Sequence, residues 1–136
     1  NSLPTEGLAF ISLKDKHKNE GIILAKKLIE LNFSLCGTPG TANIINENGI
    51  KFKKINKVSA GSPHIVDILN AKKIALVINT GGGKSASRVQ DSTSIRRATL
   101  INKVPYCTNM STAYACLEDI KSLKSKKINV KAIQEL

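Results

Sequence analysis

Val77-Ile-Asn-Thr-Gly-Gly-Gly-Lys84 is the stretch on which the fold turns. An apolar run from Ile74 to Ile78 stops at Asn79-Thr80 and passes into three consecutive glycines. A buried parallel strand reads as a continuous apolar run, and small residues at its carboxyl end bring backbone N–H groups close to an anion. Thr38-Pro-Gly-Thr41, after the strand-like Phe33-Ser-Leu-Cys-Gly37, repeats the arrangement. One such turn alone reads equally as a glycine-rich loop with no ligand. Two of them, both at strand ends, suggest one shared phosphate or carboxylate pocket.

Strands and helices alternate on either side of these turns. Leu8 to Leu13 reads as a strand, and apolar residues at 22, 23, 24, 28, 29 and 31 predict a helix from Lys18 to Leu31. Phe33 to Cys36 is a second strand, followed by a short helix from Thr41 to Asn48 that Gly49 closes. Phe52 to Ile55 is a weak third strand. Ser62-Pro63 reads as a helix start, with Ser as the cap and Pro at the first helical position, leading into Ile65, Val66, Ile68 and Leu69. After the Ile74–Ile78 strand, Asp91 reads as the cap of a helix carrying Ile95, Ala98, Leu100 and Ile101. Val104 to Cys107 is a fifth strand, and Asn109 or Ser111 opens a helix to about Lys124. Ile128 to Ile133 reads as a last strand or an extended tail. Alternation of this kind predicts an α/β fold with a parallel sheet and right-handed crossovers. Residues 9–136 form one domain in this reading, residues 1–8 are a linker or cloning remnant, and 1–7 and 124–127 are the loose points.

The 136 residues suit a single core, and 41% hydrophobic content is that of a globular chain. Aromatics make up only 4% and Trp is absent, so Ile, Leu, Val and Ala do the packing. No apolar run nears the roughly 20 residues of a membrane span, and no leader segment opens the sequence. Three cysteines, Cys36, Cys107 and Cys116, lack metal-ligand spacing and read as reduced, buried thiols of a cytoplasmic protein with no metal site. The net charge of +11 raises nucleic acid as a partner. Most of that charge is scattered Lys, with few aromatics between, which fits a solvated surface plus a local small-anion site better than a polymer-binding face.

Ligands of a parallel sheet sit beyond the carboxyl ends of its strands. The residues there are hydroxyls, amides, glycines and lysines, and Asp15 is the one carboxylate among them. A hydrolase or proton-abstracting enzyme needs a carboxylate or His aimed at substrate. His17 and His64, the two histidines, read as surface or capping residues. The set suits binding a phosphorylated small molecule without transforming it, with Thr41 at a helix start and Lys18 and Lys57 supplying charge. The alternative for Thr38 and Thr41 is that they merely cap a helix. With Thr41 as a phosphate contact, Thr41→Val is expected to weaken the ligand and leave the unliganded melting temperature nearly unchanged. Neither the Walker spacing nor the dinucleotide fingerprint is present. Arg96 and Arg97, adjacent on a helix, cannot both face one way. Cys107 reads as packing, since nothing close in sequence depresses its pKa.

Five short motifs occur in register: Gly40-Thr-Ala42, Asn56-Lys-Val58, Gly61-x-Pro-His-Ile65 with Asp67, Val77-Ile-Asn-Thr80 and Asp91-Ser-x-x-Ile-Arg-Arg97. Over nearly the whole chain from Ala9 they resemble the methylglyoxal-synthase-like group, and within it the carboxyl-terminal allosteric domain of the carbamoyl-phosphate synthase large subunit. That resemblance implies a three-layer sandwich, a five-stranded parallel sheet with helices on both faces. It implies an effector domain that binds UMP or IMP and has no cofactor of its own. The parent is then a ligase using ATP with Mg2+ and K+, with a synthetase core on the same chain and a small glutaminase subunit as partners, and with products feeding arginine and pyrimidine biosynthesis. Carried over by motif, phosphate contacts fall on Lys18, Thr38, Thr41 and Lys57, while Asn79, Thr80 and Gly81 close the pocket. Ser92, Ser94 and Ile95 fall near the nucleoside; Thr108, Arg96 and Arg97 fall at a second effector site or the core interface. The group's ornithine-contacting Asp-Thr pair reads Cys107-Thr108 here, and the synthase's catalytic Gly-Gly-Asp-Gln reads Gly61-Ser-Pro-His64. A stand-alone synthase acting on dihydroxyacetone phosphate is the alternative.

Overall fold

Alternating apolar segments fold into five parallel strands, β1 (Gly7–Ser12), β2 (Phe33–Gly37), β3 (Lys53–Lys54), β4 (Leu76–Asn79) and β5 (Tyr106–Cys107). The computed structural model describes residues 3–56, 64–80 and 86–135, the side chains of 86–92 and 127–135 excepted. The strands lie in the order β3-β2-β1-β4-β5. Every pairing is parallel, for instance Ala9 opposite Leu35 on one side and Leu76 on the other. The connecting helices are α1 (Lys18–Glu30), α2 (Pro39–Glu47), α3 (Ile65–Asn70), α4 (Ala86–Ile101) and α5 (Met110–Glu135). This is the expected three-layer architecture.

Strand alternation divides the core between the two faces. Ala9 and Ile11, Leu35, and Leu76 and Ile78 join Leu24, Ala25 and Leu28 of α1, Ala42 and Ile45 of α2, and Met110, Ala113, Leu117 and Ile120 of α5. The intervening Phe10, Cys36 and Val77 face the other way, onto Ile65 and Leu69 of α3 and Ile95 and Ala98 of α4. Gly37 ends β2 because nothing larger fits. A Cβ there would stand 1.9 Å from the Ile11 carbonyl oxygen and 2.7 Å from the Phe52 ring. Gly49, expected to close the second helix, does follow α2, at φ +77°.

The structure departs from the sequence reading at several ends. β1 opens at Gly7, one residue ahead of the expected Leu8, and Leu8 packs against the α3–α4 side of the core. Asp91 does not cap α4, which begins at Ala86. With no Gly or Pro between 86 and 101, nothing in that polar stretch stops the helix from extending backwards. His64, not Ser62, is the cap of α3; its backbone N–H donates to Asp67 Oδ2 at 3.1 Å. Ser62 and Pro63 lie outside the described residues. Asn109 does open α5, its Oδ1 accepting the Thr112 N–H at 2.8 Å. That helix runs on to Glu135, so 124–127 is no loose point and 128–133 no strand. Lys124 Nζ donates to the Leu31 carbonyl oxygen just past α1, which docks the lysine-rich stretch on its neighbour.

Leu24 is fully buried on α1, while its neighbour Ile23 is 54% exposed. Leu24→Ala should cost about 2–5 kcal/mol in urea unfolding through transfer and cavity terms. Ile23→Ala should change stability by no more than about 0.5 kcal/mol. Equal losses at both positions would contradict this layering.

Candidate anion-binding site

The strand order reverses between β1 and β4, and a crevice for ligands opens at the carboxyl ends of strands at such a switch point. Here β1 leaves the sheet, and the backbone N–H groups of its next two residues need partners. Leu13 N–H donates to Thr41 Oγ1 at 3.1 Å, and Lys14 N–H donates to Thr80 Oγ1 at 3.2 Å. Thr80 N–H returns a bond to the Ser12 carbonyl oxygen at 2.9 Å. Thr41 and Thr80 are both buried, so these hydroxyls are part of the framework of the loop.

Thr38 caps α2 with extended backbone, and Pro39 sits at its first position, where a missing N–H costs nothing. The N–H groups of Gly40 and Thr41 come next, at the electropositive end of the helix. Thr38 Oγ1 lies 3.2 Å from Thr41 Oγ1 and 3.4 Å from Ser12 Oγ. A hydroxyl has two acceptor sites and one proton. When Thr38 donates to it, Thr41 accepts twice, from Leu13 N–H and Thr38 O–H, and its own proton remains for a ligand. The framework role and a ligand-donor role are therefore compatible.

Lys18 opens α1 and reaches over α2. A Cβ built on Gly40 would stand 2.8 Å from Lys18 Nζ. Gly40 thus makes room for the ammonium at the positive end of α2, where an anion would complete the charge balance. Lys18 Nζ also donates to Asp15 Oδ1 at 2.6 Å, and the Asp15 side chain is 89% exposed. An ammonium has three protons, so Asp15 leaves capacity for a second acceptor.

Sequence reasoning missed two members of the cluster. His17, read as a surface residue, is half-buried with Nδ1 3.1 Å from Thr80 Oγ1. Ser12 was overlooked as the last residue of β1 and stands beside Thr38. Their position flanking the end of the first strand was the available signal. The structure thus brings Lys18, Thr38, Thr41 and Thr80 together with Ser12 and His17.

The other expected residues lie elsewhere. Asn79 is buried, and its Nδ2 donates to the Tyr106 hydroxyl at 3.1 Å, tying β4 to β5. Lys57 and Gly81 lie outside the described residues, as does the side chain of Ser92. Ser94 is half-buried on α4, and Ile95 is packed into the α3–α4 core. Arg96 and Arg97 are both exposed on α4, and Thr108 is exposed beyond β5. Among the described residues, no three His, Cys, Asp or Glu side chains gather as a metal site would need.

Thr41→Val corrects the expectation of an unchanged melting temperature. The valine leaves the Leu13 N–H buried without its acceptor, which costs about 1–3 kcal/mol. Thr41→Ser should retain most of that stability. Thermal and urea unfolding without ligand measure both, and a Val variant as stable as wild type would refute the framework role.

Comparison with known proteins identifies the family of the chain. The MGS-like domain model matches residues 20–108. Over 133 residues, 98% of this chain, the sequence is 42% identical to the carbamoyl phosphate synthase large chain of Mesorhizobium japonicum, of which it covers 11%. It is also 42% identical over its full length to the C-terminal section of that large chain from Methanopyrus kandleri, covering 25% of it. The chain therefore spans only a small part of these relatives. Among solved structures, methylglyoxal synthase from Elizabethkingia anophelis superposes with a TM-score of 0.62 at 16% identity, over 85% of this chain and 79% of that one, a likeness of fold. Among the described residues no helix is long and apolar enough to cross a membrane. With well over half of its residues matched by the family model, the chain belongs to the MGS-like domain family.

Proposed function

We propose that this chain is the effector-binding region of a carbamoyl-phosphate synthase large chain and binds the phosphate of a nucleoside monophosphate, UMP or IMP. The observation that carries the reading is the placement of Lys18 Nζ over Gly40 at the start of α2, beside the Thr38 and Thr41 hydroxyls. Its strongest support from outside the structure is the full-length likeness to synthase large chains. Lys57 and Gly81 join the site on the sequence resemblance alone. Binding to a parent enzyme with two states would then shift their balance by the difference in affinity, typically about 1–3 kcal/mol. The parent reaction, ATP-dependent carbamoyl phosphate synthesis with a glutaminase partner, belongs to this proposal as well.

The site's chemistry favours binding over catalysis. Its one described carboxylate, Asp15, is held by Lys18 at 2.6 Å, and His17 faces the Thr80 hydroxyl. In the stretch where the synthase resemblance requires a catalytic aspartate, the sequence has Gly61-Ser-Pro-His64. Such a site can hold dihydroxyacetone phosphate but lacks a base aimed at its carbon-bound proton.

Calorimetry of the 136-residue chain with UMP, IMP and ribose 5-phosphate tests the proposal. Binding by at least one of them is expected. Lys18→Ala should weaken it on the order of tenfold, since a charge-assisted bond contributes roughly 1.5–3 kcal/mol. Gly40→Ala should weaken it less than Lys18→Ala, because its Cβ meets only the end of the flexible Lys18 side chain, which can shift, with little effect on unliganded stability. No binding of any of the three at millimolar concentration, or steady methylglyoxal formation from dihydroxyacetone phosphate, would overturn the reading.

A further inference from the structure

The amino ends of β1, β4 and β5 form the pole of the sheet opposite the anion site. A cavity of about 410 Å³ opens there, between the turn that joins α3 to β4 and the turn that joins α4 to β5. Its apolar lining includes Leu69 and Ile74, both buried, and Val104. Lys72, Asn102 and Lys103 line it from the two turns, and none of its lining residues is acidic. Small-molecule sites have this size and this make-up, an apolar wall with a few placed polar groups.

The two turns share an unusual backbone. Lys72 and Lys103 have φ of +62° and +56°, in the left-handed region that residues with a Cβ seldom enter. Each donates its backbone N–H to the last turn of the helix before it, Lys72 to the Leu69 carbonyl at 3.0 Å and Lys103 to that of Leu100 at 3.2 Å. On the other face of the sheet, the residues that tolerate this conformation best close the helices, Asn32 after α1 and Gly49 after α2. A lysine at such a turn costs stability that Gly or Asn would not. It does offset the negative end of its helix, but a lysine within the last turn would do so without the strain.

The side chains at these turns are tied together. Lys72 Nζ crosses to the other turn and donates to Asn102 Oδ1 at 3.0 Å. Asn102 Nδ2 directs its two protons to Asn70 Oδ1 at 3.0 Å and to the Ala98 carbonyl oxygen at 2.8 Å. This network holds the Lys72 ammonium between the turns that bound the cavity, with two protons left for a ligand. The Lys103 ammonium has no hydrogen bond or ion pair among the described residues. Two full positive charges outweigh the roughly half-unit negative charge at each helix end, so the rim is net positive.

We infer that this cavity is a second ligand site, for a small organic carboxylate. Its apolar body rests on Leu69, Ile74 and Val104, and its carboxylate takes protons from Lys72 and Lys103. The site is independent of the nucleotide reading of the other pole. Amines and amino acids suit it poorly, because no lining carboxylate receives an ammonium.

Phenylacetate, phenethyl alcohol, phenethylamine and acetate separate charge from apolar contact. Each is titrated into the 136-residue chain while the backbone amide signals are followed by NMR. Phenylacetate should move the Lys72, Asn102 and Lys103 signals saturably and leave those of Gly40 and Thr41 in place. The other three should bind on the order of tenfold more weakly, each lacking the charge-assisted bonds or the apolar contact. Lys72→Asn and Lys103→Asn should each weaken phenylacetate on the order of tenfold. Both should unfold near the wild-type urea midpoint, since Asn tolerates the left-handed conformation. No saturable movement at these turns, an equal response to phenethyl alcohol, phenylacetate bound at the start of α2 instead, or asparagine variants that keep full affinity would each overturn the inference.

Discussion

Where β1 leaves the sheet, the Leu13 N–H is buried and the Lys14 N–H partly so, with no strand left to satisfy them. Thr41 from the start of α2 and Thr80 from the end of β4 supply the acceptors, at 3.1 and 3.2 Å. An unpaired buried donor is costly, so this constraint fixes the path of the loop that carries Asp15, His17 and Lys18. It also draws the ends of β1, β2 and β4 to one point, on the switch in strand order. The candidate anion site is then a by-product of satisfying the backbone at one strand end. Its hydroxyls are held before any ligand arrives, so little ordering is left for binding to cost.

Charge enters that frame from one side. Lys18 stands at the start of α1, and the lack of a side chain at Gly40 leaves space for its ammonium against the start of α2. Two positive features, the ammonium and the helix end, then face the same space. Asp15 partly neutralises them from solvent, where its carboxylate is screened and easily outcompeted. On the proposed reading, such an arrangement suits a multiply charged phosphate better than a single carboxylate.

Much of the fold was legible because its apolar runs are short, buried and separated by turn residues. Five strands, their parallel sense and most of the helices follow from Leu8–Leu13, Phe33–Cys36 and Ile74–Ile78 and the periodic stretches between them. Helix ends were less legible. Asp91 looked like a cap, yet nothing before it back to Ala86 forbids helix, so propensity over the whole segment outweighed one residue. The 122–135 stretch, rich in Lys and Ile, hides its helical period among charges, and its anchor at Leu31 is a contact of long sequence separation. At the candidate site, residue type and position singled out Thr38, Thr41 and Lys18, and the fold brings them together. The second duty of Thr41 was not legible, because spacing says nothing about which N–H at the end of another strand lacks a partner. His17 and Ile95 show the same limit in opposite directions, the one drawn into the site and the other into the core.

A crystal structure of the chain with UMP or IMP bears most directly on the central claim. The account predicts phosphate density at the start of α2, with oxygens within hydrogen-bond reach of the Gly40 and Thr41 N–H groups, the Thr41 hydroxyl and Lys18 Nζ. Leu13 N–H should still be bonded to Thr41 in the complex. A phosphate bound elsewhere, or a loop that must release Thr41 from Leu13 to admit it, would contradict the account.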